Sequence, residues 1–153
     1  MGLCKRGWMD IRFASLACGV LFAIGWVGCG GHSSSTMAGP QASNLRSIGS
    51  AYQLFLKEHR RLPANENEFQ EFVALVAAED LKARNVTVEQ IMTSERDGQP
   101  YVVFCRDNPP PDGSFVAAYE QVGVEGRRYV ADTAGNVKEV DEASFRELVP
   151  NGP

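Results

Sequence analysis

The sequence predicts an α+β domain, in which a long N-terminal helix and a second helix pack on a small antiparallel sheet of about four strands. Three observations carry this. Apolar residues recur at helical spacing between positions 42 and 78. Alternating runs rich in valine and tyrosine take over after position 100. Short connections with glycine, aspartate and asparagine separate those runs, which favours antiparallel neighbours.

The first helix is expected from Ala42 to His59. Leu45, Ile48, Tyr52 and Phe55 fall on one stripe, with Leu56 beside them, while Arg46, Ser50, Gln53 and Lys57 lie on the wet side. Ser43 or Asn44 is the expected cap, and Leu62-Pro63 is the expected stop, because a residue before proline avoids the helical region. A second helix is expected from Glu66 to Ala78, with Asn65 and Glu68 as a capping-box pair. Its buried face is Phe69, Phe72, Val73 and Val76. Thr87 and Gln90 repeat the capping pattern before a short turn of helix at Ile91 and Met92.

Four strands follow, at Tyr101–Cys105, Phe115–Gln121, Arg127–Asp132 and Val137–Val140. Pro109 to Gly113 is a proline-rich loop, and Ala134-Gly135-Asn136 marks the last hairpin turn. Strict alternation places Phe115, Ala117 and Tyr119 on one face and Val116, Ala118 and Glu120 on the other. Both faces are apolar enough to need helical cover. Glu120 is expected to pair across strands with Arg127 or Arg128. Asp141 caps a last helical turn through Phe145 and Leu148.

The chain has 153 residues, enough for one domain with appendages, and its 44% hydrophobic and 22% charged content is ordinary for a globular protein. The net charge of −4 hides a split. Residues 1–28 carry Lys5, Arg6 and Arg12 against Asp10, so the rest of the chain carries −6. An acidic body argues against a nucleic-acid partner, since phosphate binding depends on clustered Lys and Arg. The basic pairs Arg60-Arg61 and Arg127-Arg128 are too short to form such a cluster.

Residues 1–28 read as a targeting signal. A basic segment to Arg12 precedes Phe13 to Val27, fifteen residues without a charge. A spanning helix needs about 20 apolar residues, so this run fits a signal core better. It ends in Trp26-Val27-Gly28-Cys29, which resembles the lipobox of bacterial lipoproteins, with Trp26 where leucine is usual. The resemblance implies that the Cys29 thiol becomes a lipid thioether and that cleavage falls between Gly28 and Cys29. It implies palmitate-type acylation, attachment to the membrane and, with Gly30 next, an outer-membrane or periplasmic-face location. Of the four cysteines, Cys4 and Cys18 leave with the signal and Cys29 is lipidated. Cys105 then remains as a free thiol, with no intramolecular disulfide in the mature chain. Residues 29–41 read as a flexible Gly/Ser tether, and 42–150 as a single globular domain.

Within that domain, Asn44-Leu45-Arg46-Ser47-Ile48-Gly49-Ser50-Ala51-Tyr52 and the later His59-Arg60-Arg61-Leu62-Pro63 resemble the segment after the membrane helix of bacterial prepilin-like proteins. Ser94 to Tyr101 resembles the strand entry of type II secretion pseudopilins, and Tyr129 to Val137 resembles their Asp-Gly hairpin. The resemblance implies a pilin-like fold. The prepilin start itself is absent, so filament membership is not implied.

The expected function is a non-enzymatic binding, scaffolding or assembly role in the cell envelope, with envelope proteins as partners and no cofactor. Two other readings stay open. Cys105 paired with His59 would make a nucleophile for a periplasmic enzyme. Asp97, Asp107, Asp112 and Asp132, all in expected loops, offer hard oxygen ligands for a calcium-stabilised module of a secretion or pilus-like system.

Overall fold

A computed structural model describes residues 35–37 and 39–152. Residues 1–28, expected to be a signal segment ending at Gly28, and Cys29, the expected lipidation residue, lie outside the described residues. The architecture is α+β, with helices and an antiparallel sheet.

Helix α1 spans Ser43–His59. Leu45, Ile48, Tyr52 and Phe55 are all buried, as the 3.6-residue stripe requires. Its cap is not the one expected. Neither Ser43 nor Asn44 caps the helix through its own side chain. The carboxylate of Glu95 does so from a distant loop, accepting from the Ser43 backbone N–H at 3.1 Å and its hydroxyl at 2.6 Å. A carboxylate satisfies a first-turn donor and complements the positive end of the helix dipole. Asn44 is instead buried and donates to the carbonyls of Gln90 and Thr93. The helix ends before Leu62-Pro63, with Arg60 in the left-handed conformation (φ 56°).

Helix α2 runs Glu66–Val76, and the Asn65 side chain accepts from the Glu68 N–H at 3.0 Å. The return arm differs from a full capping box: Glu68 accepts from the Ala64 N–H and pairs with Arg61. Phe69, Phe72 and Val73 are buried, but Val76 is exposed at the helix end, contrary to expectation. Helix α3, Ala78–Arg84, follows at once. Short helix α4, Val88–Ile91, opens on a reciprocal Thr87–Gln90 capping box. The last helix, α5, is Glu142–Leu148, where Asp141 accepts from the Ser144 N–H at 2.8 Å.

The strands are β1 Ser35–Met37, β2 Tyr101–Val103, β3 Val116–Glu120, β4 Arg127–Asp132 and β5 Val137–Asp141. They form one antiparallel sheet in the order β1-β5-β4-β3-β2. Strands β2 to β5 are therefore the expected meander. Strand β1 comes from the stretch read as tether and pairs Thr36 with Glu139.

The strict alternation expected along β3 fails. Register shifts between Val116 and Ala118, a bulge that brings Ala117 and Ala118 into one cluster. An extra residue in one strand locally cancels the two-residue period. Val116 and Tyr119 therefore share the opposite cluster, and Phe115 stays in solvent.

Each face has a helix. Helix α1 packs with Ala118, Tyr129, Ala131 and Val137. It crosses the β4–β5 turn closely: a Cβ on Gly49 would lie 3.3 Å from the Gly135 Cα. Helix α5 covers the other face, where Phe145 packs with Phe104, Tyr119, Val130 and Val140. The Tyr119 and Phe145 rings meet edge-on at 5.1 Å. Truncating such a buried phenylalanine costs about 3–5 kcal/mol.

Candidate functional site

Helix α5 has only seven residues, too few to cover the whole of its sheet face. Beyond its end lies an open groove of about 400 Å³. Val116, Val130 and Val140 line it from the sheet, and Phe115, Pro111, Leu148 and Pro150 from the flanking segments. Phe115 is 76% exposed and Leu148 40% exposed, a concentration of apolar surface on a single feature. The Ser114 hydroxyl joins the two walls by donating to the Leu148 carbonyl at 3.4 Å. The Phe115 carbonyl accepts from the Thr133 N–H at 2.7 Å, which fixes the backbone carrying the ring.

The charged lining is unequal: Asp112, Asp132 and Glu147 stand against Lys138. Asp132 is committed to its own turn, accepting from the Ala134 and Asn136 N–H groups at 2.9 Å each. No hydrogen bond or ion pair engages the side chain of Asp112 or Glu147 among the described residues. The groove is thus an apolar concavity with an acidic rim.

The opposite face carries a buried polar network. The Glu120 side chain is 0% exposed and lies 3.7 Å from the Arg96 Nε. Its oxygens accept from the Ser94 hydroxyl and the Tyr129 N–H, both at 2.8 Å. Burial raises the Glu120 carboxyl above its usual value, against the lowering pull of the Tyr129 N–H, Ser94 and Arg96. The expected pairing of Glu120 with Arg127 or Arg128 is not formed by its carboxylate. Arg128 points to the α5 side, where its Nε donates to Glu142 at 3.1 Å and its guanidinium lies 4.3 Å from the Phe145 ring centroid. The Glu120 carboxylate bonds to the N–H of Tyr129 on the α1 side, and Arg128, the residue before Tyr129 on β4, faces the other way, so its guanidinium reaches Glu120 only at its main-chain carbonyl, at 3.5 Å.

Cys105 and His59 form no catalytic pair by hydrogen bonding among the described residues. Cys105 is buried, and its thiol is pushed up to about 12 by burial and then by the negative charges of Asp107, Glu66 and Glu68. A nucleophilic cysteine needs the reverse, a depressed value beside a cation or base. His59 sits at the end of α1 with its ring 4.3 Å from Phe55 and 5.6 Å from Phe72. No hydrogen bond joins it to Cys105 among the described residues.

The four aspartates do not gather at one site, although Asp112 and Asp132 both line the groove. Asp97 accepts from the Gln99 N–H at 3.0 Å and the Gly123 N–H at 2.8 Å, tying two loops. Asp132 closes the β4–β5 turn, and Asp107 and Asp112 lie exposed. Among the described residues no group of three His, Cys, Asp or Glu is placed to hold a metal ion. None of their helices is long and apolar enough to cross a membrane.

The groove was not legible in the sequence. Its one signal is Phe115, an aromatic beside a proline-rich loop, and regular alternation would have given it a partner face. No family model matches the chain, and neither does any curated protein or solved structure.

Proposed function

We propose that this chain is a cell-envelope lipoprotein whose folded body is a non-enzymatic binding, scaffolding or assembly module. In this proposal residues 1–28 direct export, lipid on Cys29 holds the protein at the outer membrane or periplasmic face, and the residues between Cys29 and strand β1 space it from the surface. Support for the address comes from the basic segment, the fifteen-residue apolar run and the Val27-Gly28-Cys29 junction. A diacyl or triacyl anchor suffices for stable attachment, because each buried CH₂ contributes about 0.8 kcal/mol.

The single observation that carries the binding role is the apolar groove beneath Phe115 and Leu148. Exposed apolar surface gathered in one concavity marks a contact site. The separation of roles between Cys105 and His59 removes support from the enzyme alternative. The scattered aspartates likewise give the calcium alternative no cluster. The order of a long helix followed by an antiparallel meander supports a pilin-like, pseudopilin-related domain.

A photo-crosslinking residue at Phe115 in cells, with recovery of the envelope fraction, tests the binding role. Crosslinked products are expected from Phe115 and not from Leu75, an equally exposed apolar position on α2. Identical products from both positions, or none from Phe115, would remove the groove as a contact site.

A further inference from the structure

We propose that the groove takes an apolar side chain from a positively charged peptide segment, one in which lysine or arginine flanks a leucine-like anchor. This presupposes the binding role proposed above and adds the chemistry of the partner. Two features of the groove combine. Its floor and walls, with Val130, Phe115 and Leu148 among them, offer a concavity sized for an apolar anchor. Its rim holds Asp112 and Glu147 with no ion-pair partner among the described residues, against the single cation Lys138.

The charge selects among occupants. A second copy of this chain would bring its own acidic rim against the first, and its mature body carries −6. Like charges brought together at an interface cost free energy. A membrane surface rich in anionic lipid would be repelled by the same rim. A cationic segment gains attraction during approach and places its alkyl groups in the groove.

Full-length protein in detergent micelles is titrated with a fluorescent peptide of alternating leucine and lysine, followed by anisotropy. Saturable binding is expected, weakening as salt rises through screening of the rim. Phe115→Ser with Leu148→Ser should reduce affinity about tenfold or more, as loss of a central anchor does, while Leu75→Ser should leave it unchanged. Both groove residues are exposed, so these variants keep the core intact. Asp112→Asn with Glu147→Gln should flatten the salt dependence.

Equal binding of a leucine–glutamate peptide would overturn the proposal. So would groove-dependent dimerisation in sedimentation, or binding of anionic vesicles by the Cys29→Ala chain that is lost in Phe115→Ser. If the lysine peptide fails while crosslinking from Phe115 persists, the cationic chemistry is wrong and the binding role stands. If both fail, both are wrong.

Discussion

Arg96 donates to Glu139 at 2.7 Å, joining the loop before β2 to strand β5 across forty-three residues of sequence. The same guanidinium lies 4.2 Å from the Tyr129 ring centroid and donates to the carbonyls of Val124 and Arg127. It also faces the buried Glu120 carboxylate. Arg96 therefore neutralises an interior charge and closes the α1 side of the sheet at once.

Arg96→Met leaves Glu120 buried without its cation. Breaking one side of a buried pair costs about 3–5 kcal/mol, so the urea midpoint should fall sharply. The double variant Arg96→Met/Glu120→Gln should recover part of that loss, because no bare charge remains. A double variant no more stable than Arg96→Met would show that Glu120 is not the group Arg96 compensates.

Glu120 also sets a pH signature. Its folded value is raised by burial, so the native state holds its proton to higher pH than the unfolded chain does. That contribution is full below the ordinary glutamate value of about 4.3 and is lost as pH rises through the folded value. Stability of wild type relative to Glu120→Gln should therefore decline as pH rises above about 4.3. Glu68 works in the opposite direction. Its bonds from Arg61 and the Ala64 N–H bring it down to about 2, so its contribution is lost as pH falls from the ordinary range towards that value. Parallel denaturation curves for wild type and Glu120→Gln at every pH would contradict the burial-driven shift.

Much of this fold was legible because its signals are local. The α1 stripe from Leu45 to Phe55 needs only a 3.6-residue period, and the Thr87–Gln90 box needs only four residues. Helix α3 has no stripe to announce it, because it buries nothing fully and offers only Leu81 to the core edge. The bulge at Ala117 was invisible because nothing in Val-Ala-Ala-Tyr-Glu breaks the alternation. The Arg96 network joins residues far apart in sequence, and the groove depends on both the bulge and the short length of α5. Those features arise from tertiary packing, which a single sequence does not display.

Gly123 separates strain from collision. Its φ is +77°, and a Cβ there would lie 2.4 Å from the Arg127 carbonyl oxygen. Gly98 has a similar φ of +69° but open space around it. Left-handed backbone alone costs about 1–3 kcal/mol for a side-chain-bearing residue. Gly98→Ala should lower the melting temperature by that strain, and Gly123→Ala by distinctly more. Equal losses would mean that the Gly123 turn relaxes freely.

Cys105 should be inert in the folded protein. Its thiol is buried and pushed up to about 12, so little thiolate forms at neutral pH. Alkylation followed by peptide mapping should leave Cys105 unmodified in native protein and modify it fully in urea. Rapid native labelling at Cys105 would revive the nucleophile alternative.

In the proposed function, lipid at Cys29 holds this module on a membrane. Radiolabelled palmitate incorporation into wild type and Cys29→Ala, with envelope fractionation of both, tests it most directly. Label and membrane recovery are expected for wild type, with loss of label in Cys29→Ala. Equal labelling of the two, or no label in wild type, would contradict it.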